Sequence, residues 1–320
     1  MKILVTGKDG RLGKAFQKEF LSLFQGRHSE VDIRYIGRQE CNLADLDLLE
    51  KLLHEFQPKV IINTAAYTAV DNAEQEHDPA FTINAVVPEF LAKYVVTYNA
   101  ILMHYSTDYV FDGEGSDFYS EDRVVRPLGV YGKSKAEGER LIADAFSMSN
   151  NPNARYAIFR ASWMYGEGGN FIRTILRLAK NNPELKVITD QFGVPTSAEW
   201  LAALSIDFLF DLSLGKNMVL RDFPSGIYHA VPAGETTWHG LASTVVEVAK
   251  LSGNLMLKVA NIQAIPAIEY PLPALRPMNS RLSTQKLQTT LENLGHVSKF
   301  PMWDELVRTY VADLVKNQFI

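Results

Sequence analysis

Three glycines set close behind an apolar run constrain this chain more than any other feature. Ile3-Leu4-Val5 leads straight into Thr6-Gly7-Lys8-Asp9-Gly10-Arg11-Leu12-Gly13, and apolar residues then recur at Leu12, Phe16, Phe20 and Leu23. The run reads as a short buried strand and the spacing as a helix, so the glycines occupy a strand-to-helix turn. There Gly7 permits a tight reversal, Gly10 lets backbone approach a pyrophosphate, and Gly13 allows close helix packing. The helix N-terminus offers free N–H groups and partial positive charge to the anion. Asp9, Arg11 and Leu12 share this turn and join the glycines as a dinucleotide-binding set. Turns collect glycine for other reasons as well, so the flanking strand and helix give the pattern its weight.

The alternation continues to about residue 160. Strands are predicted at 32–37, 59–63, 100–106 and 156–160, with helices at 46–56, 86–98 and 131–146. The β-branched run 59–63 has no polar alternation, as expected of a parallel strand covered on both faces. The fold class is therefore α/β, a doubly wound parallel-sheet (Rossmann) domain with a smaller C-terminal α/β substrate domain. Beyond residue 160 the rhythm weakens. Helices are predicted at 171–181, 199–212 and 238–251, and strands at 185–189 and 226–230. Segment 264–277 holds Pro266, Pro271, Pro273 and Pro277, so it is extended or looped. The expected division assigns 1–160, with a return segment near 195–232, to the nucleotide domain. Residues 161–194 and 233–320 fall to the substrate domain.

Composition removes several classes. With 47% hydrophobic and 22% charged residues, the 320-residue chain is an ordinary globular protein that can bury a large core. A net charge of −5 weighs against a nucleic-acid partner. No apolar run approaches the roughly 20 residues of a membrane span. Cys41 is the one cysteine, which excludes an intrachain disulfide and suits a reducing compartment. Lys2-Ile3-Leu4-Val5 lacks the flanks of a signal peptide. A soluble cytoplasmic protein is expected, with neither nucleic acid nor membrane as partner. The histidines show no metal-ligand spacing, so no metal site is expected. Glu74, Glu76 and Asp78 read as a solvated loop or helix start, and His104 as a structural strand residue.

Chemistry enters with Ser106-Thr107-Asp108 at a strand end and Tyr131-Gly132-Lys133-Ser134-Lys135 at a helix start. Tyr131 and Lys135 are four apart and share a helix face, whereas Lys133 points elsewhere. A free tyrosine, with a pKa of about 10, is a poor acid–base catalyst near neutrality. A neighbouring ammonium is expected to lower that value, and Thr107 to hold a substrate oxygen by a second hydrogen bond. A tyrosine and a lysine four apart are common in helices; their place downstream of a dinucleotide turn singles out this pair. At the end of the second strand, Tyr35-Ile36-Gly37-Arg38 offers a base where an acid would bind a free ribose 2′-hydroxyl. Arg38 therefore favours the 2′-phosphate of NADPH, with NADH remaining open; the alternative is a solvated surface arginine. Asn42 and Leu43 flank the adenine in this reading.

Across nearly its whole length the chain resembles the extended short-chain dehydrogenase/reductases, and within them the dTDP-4-dehydrorhamnose reductases. The resemblance rests on segments 6–13, 63–71, 104–113 and 130–135, and on Arg160-Ala161-Ser162-Trp163-Met164-Tyr165. It extends to Asp190-Gln191-Phe192-Gly193-Val194-Pro195-Thr196 and Arg276-Pro277-Met278-Asn279-Ser280-Arg281-Leu282. It implies that NADPH reduces the C4 keto group of dTDP-4-dehydro-L-rhamnose, or of another nucleotide-linked 4-keto-6-deoxysugar, with Thr107, Tyr131 and Lys135 as catalytic triad. Lys135 would also bind the nicotinamide ribose. It further implies sugar contacts at Asp108 and Trp163, a pocket wall at Val70, and a loop under the cofactor at Ala65, Ala66, Tyr67 and Thr68. Core filling is the other reading of Trp163, and the motif context favours the pocket. An anionic diphosphate needs local cations in an acidic protein, which nominates Arg276; an interdomain salt bridge is its other reading.

The chain departs from relatives at Asn42, where aspartate is common, and at Tyr67, where some carry a smaller ring. Ala15 and Lys18 on the first helix do not match the acidic, magnesium-bridged pairing of some relatives, so a homodimer stays open. The fold is also similar to the non-catalytic regulatory subunit of methionine adenosyltransferase, a dinucleotide-binding protein. The intact Thr107/Tyr131/Lys135 set favours the enzyme.

Overall fold

The computed structural model describes residues 1–24, 31–149, 151–210, 223–253, 255–296 and 299–317. The alternation up to residue 161 yields β1 (Lys2–Thr6), β2 (Asp32–Ile36), β3 (Val60–Asn63), β4 (Ile101–Thr107) and β5 (Arg155–Ala161). Together with an edge strand, Gly226–His229, they make a six-stranded sheet in the order β2-β1-β3-β4-β5-edge, with every pair parallel. The order reverses between β1 and β3. A crevice therefore opens beyond the C-terminal ends of those strands, the place where such sheets bind ligands.

Period-two alternation divides the strands between two covered faces. Ile3, Val5, Ile62, Met103 and Phe159 pack against helices Arg11–Phe24 and Ala198–Leu209. Leu4, Ile61, Leu102 and Ile158 meet helices Leu46–Phe56, Val87–Tyr98 and Val130–Ser147 on the other face. Both sets are buried, which explains why the strands read as unbroken apolar runs.

A separate core gathers helices Phe171–Asn181, Trp238–Leu251 and Trp303–Lys316 around the parallel strand pair Glu184–Ile188 and Asn261–Ile265. The strand Asn261–Ile265 ends just before Pro266, and the proline stretch is looped apart from one 3-10 turn, Ala267–Glu269. The helix expected over 199–212 spans Ala198–Leu209, and 211–212 lie outside the described residues. Two C-terminal helices were not anticipated. Of these, Gln285–Asn293 adds Leu287 and Leu291 to the first core. Ahead of Val87–Tyr98 the chain also forms a short helix, His77–Phe81, and a π-helical turn, Thr82–Val86. Among the described residues no helix is long and apolar enough to cross a membrane.

Candidate active site

The glycine turn is shaped by contacts that admit no side chain. Gly7 has φ 70°, and a Cβ there would fall 2.7 Å from the backbone nitrogen of Ala65. A Cβ on Gly13 would stand 2.2 Å from the Gly7 carbonyl oxygen, so the helix can start this close to β1 only with glycine. Beside the turn lies a cavity of about 670 Å³. Gly7, Asp9, Gly10, Arg11 and Leu12 line one wall, while Gly13 is buried beneath it. Arg38, Asn42 and Leu43 form the rim near β2, and Ala65, Ala66, Tyr67 and Thr68 the floor after β3. Tyr131 and Lys135 close the inner end. From across the crevice, Glu167, Gly168 and Gly169 lean over the turn. Arg11 Nε donates to the Gly169 carbonyl at 3.1 Å, and Lys14 pairs with Glu167 at 2.8 Å.

At the rim, Arg38 is exposed, but an acid stands two residues beyond it. Glu40 accepts from the Gly37 amide at 2.9 Å and pairs with Lys8 at 2.5 Å. That pairing lowers the Glu40 carboxyl and raises the Lys8 ammonium from their ordinary values.

The inner end holds the proton-transfer set. Thr107 ends β4, and its side chain faces the Tyr131 phenol. Burial pushes that phenol up to about 12, with the Thr107 hydroxyl acting in the opposite direction. The expected lowering by Lys135 is not found. Lys135 Nζ is turned into the sheet, donating to the Tyr105 carbonyl at 2.6 Å and lying 3.1 Å from His104 Nε2. Burial holds this ammonium at about 8, with Glu139 working against the shift.

Asp108 is fully buried behind Thr107, whose hydroxyl donates to its Oδ1 at 3.1 Å. Ser280 faces the carboxyl, Oδ2 has no close hydrogen-bond partner among the described residues, and burial lifts the group to about 6. An unpaired buried acceptor is costly, and Asp108 lines neither cavity. Val70 lines a small second cavity with Tyr109, Leu128, Ala274 and Leu275, and Tyr131 borders both cavities. Arg276, one residue past Leu275, pairs with Asp71 at 2.8 Å, while Asp71 Oδ1 accepts from the Ala274 amide. In the structure its salt-bridge reading is the one realised. Trp163 lines neither cavity; with φ 45° it stacks on Trp238 at 3.8 Å.

Three supporting residues escaped the sequence reading. Glu74, read as a solvated acid, accepts from the Val130 amide at 2.8 Å and so caps the helix that carries Tyr131 and Lys135. Asn84, in the π-helical turn, binds both the amide and the carbonyl of Tyr67, and its Nδ2 also donates to Ser134 Oγ. It ties the cavity floor to the helix of Tyr131, a placement typical of π-turns near functional sites. His104, read as structural, touches Lys135 directly. A cap supplied from 56 positions away leaves no local signal, and neither does a π-turn.

The parallel sheet, the glycine turn and the Thr107/Tyr131/Lys135 cluster define a nicotinamide-dependent short-chain dehydrogenase/reductase. More narrowly, the chain belongs to the family described as RmlD substrate binding domain, whose model matches residues 1–315. It is 39% identical over 318 residues to the dTDP-4-dehydrorhamnose reductase of Escherichia coli (strain K12), covering 98% of each chain. Among solved structures it is similar to the dTDP-4-dehydrorhamnose reductase of Clostridium acetobutylicum, with TM-score 0.82, 32% identity, and coverage of 99% and 100%. The enzyme of that name from Bacillus anthracis, solved in complex with NADP, gives TM-score 0.79 at 28% identity, with coverage of 98% and 99%.

Proposed function

We propose that this chain reduces the C4 keto group of dTDP-4-dehydro-L-rhamnose to dTDP-L-rhamnose with NADPH. The observation that carries the reading is the position of Tyr131 between the cavity under the glycine turn and the smaller one beside Val70. The larger cavity fits a dinucleotide: Gly7 and Gly10 line it, Gly13 lets the helix start close to β1, and that helix N-terminus faces the cavity. NADPH, when bound, supplies the hydride.

The chain's own residues supply the remainder. At about 12 the Tyr131 phenol is fully protonated near neutrality, the form a proton donor needs. Tyr131 gives its proton to the substrate oxygen as negative charge develops there, and Thr107 holds that oxygen in line. Lys135 places positive charge at the inner end of the cofactor cavity and is assigned to the nicotinamide ribose. Asp108 and Trp163 are assigned to the sugar, Val70 to the pocket wall, and Arg276 to the diphosphate once released from Asp71. Arg38 is assigned to the 2′-phosphate, Asn42 and Leu43 to the adenine, and Ala65–Thr68 to the loop under the cofactor.

The division into a nucleotide half, 1–160 with 195–232, and a sugar half, 161–194 with 233–320, belongs to the same reading, except that Gln285–Asn293 packs on the nucleotide core. So does a cytoplasmic location, which the lone buried Cys41 suits. Incubation with NADPH and the 4-keto sugar should consume NADPH in proportion to product. Tight NADPH binding with no turnover would favour the non-catalytic binding protein instead.

A further inference from the structure

Behind Lys135 the sheet builds a hydrogen-bonded row that proton donation by Tyr131 does not itself use. Thr6, Asn63 and His104 are register partners on β1, β3 and β4, so their side chains leave one face of the sheet side by side. Thr6 Oγ1 donates to Asn63 Oδ1 at 2.6 Å, Asn63 Nδ2 lies 3.0 Å from His104 Nδ1, and His104 Nε2 is 3.1 Å from Lys135 Nζ. None of the four is more than 1% exposed.

The chemistry of the four groups fixes how the row must be ordered. Burial and the neighbouring Lys135 ammonium hold His104 well below the usual histidine range, so its ring is neutral. A neutral imidazole donates from one nitrogen and accepts at the other, whereas an ammonium only donates. Contact with charged Lys135 therefore needs the lone pair on Nε2 and the hydrogen on Nδ1. Nδ1–H in turn needs the oxygen of the Asn63 amide facing it, so the amide is turned over from the placement in which Nδ2 faces the ring. The two ends of that amide are alike in shape, and the Thr6 hydroxyl can serve either end as donor or acceptor. Since the row stops at Thr6, inside the core, it gives a proton no exit. It is a support, not a wire.

We propose that His104 is a positioning residue: its Nε2 lone pair holds Lys135 in place and in charge, with Asn63 and Thr6 fixing the tautomer. The inference rests on the role assigned above to Lys135. The groups facing Lys135 are His104 and Tyr105 from β4 and Glu139 from its own helix, itself held by Arg160 of β5 at 2.6 Å. With its ammonium held at about 8, Lys135 is charged below that pH and discharges as pH rises through it. Removing the His104 acceptor penalises the charged form, so the discharge, and the alkaline loss of activity, must move to lower pH.

The test combines kinetics with ¹⁵N NMR of the protein loaded with NADP⁺. His104→Leu should lower kcat/KM by roughly ten- to a hundredfold, the usual effect of losing a charged hydrogen bond, and shift the alkaline limb of the pH profile downward. His104→Gln, which still presents an oxygen, should recover most of the rate and return the limb. In the wild type, the ring assigned by its loss in His104→Gln should show the Nδ1–H tautomer. An Nε2–H tautomer would overturn the proposal even if His104→Leu failed to fold. A His104→Leu profile matching the wild type would overturn it too, provided Lys135→Met remains crippled. Lys135→Met with normal turnover would instead remove the role of Lys135 on which the proposal depends.

Discussion

The two ends of the cofactor cavity are built on opposite principles. At the inner end Thr107, Tyr131 and Lys135 come from a central strand and a capped helix, and Lys135 is buried to within 1%. At the rim Arg38 and Glu40 sit on an exposed loop, and Lys8 joins them from the glycine turn, held by one ion pair. Charges in a low-dielectric interior act strongly and are hardly screened, while exposed pairs are worth little and fade with salt. The inner end should therefore govern rate and the rim govern choice of cofactor.

Substitutions at the two ends should differ widely in effect. Tyr131→Phe keeps the ring against Tyr109, 5.5 Å away, and removes the proposed proton donor. Steady-state kinetics should show kcat lower by about 10²–10⁴-fold, the usual contribution of general acid catalysis, with NADPH affinity little changed. A near wild-type rate would break the contrast, because the buried end would then not control chemistry. Arg38→Ala should do much less. The ratio of kcat/KM for NADPH over NADH should shrink by roughly tenfold at low salt and less at high salt. Freed from Glu40, Lys8 can partly take over the phosphate, which limits the loss. An unchanged ratio would return Arg38 to the solvated surface.

The same contrast explains what the sequence could disclose. The sheet, the glycine turn and the spacing of Tyr131 and Lys135 are local patterns, and each stands where periodicity and turn chemistry put it. The row Thr6–Asn63–His104 depends on register between strands far apart in the chain, which a pattern on any single strand cannot express. Tyr131 was expected to be tuned by Lys135 because helical spacing sets them on one face. Spacing does not say where an ammonium points, and here it points at the Tyr105 carbonyl. At the rim, the absence of an acid at Tyr35–Arg38 concealed Glu40, which folds back onto the Gly37 amide. The C-terminal helices Gln285–Asn293 and Trp303–Lys316 lie in a region of weak rhythm that shows its apolar faces only once the cores are known.

The most direct test of the account is isotopic. The protein would be given NADPH deuterated at its transferable position together with dTDP-4-dehydro-L-rhamnose, and the product read by mass spectrometry and proton NMR. Hydride delivery at the inner end predicts a dTDP-L-rhamnose carrying a single deuterium at C4. A reduced product without deuterium at C4, or cofactor bound with no reduced sugar, would contradict it.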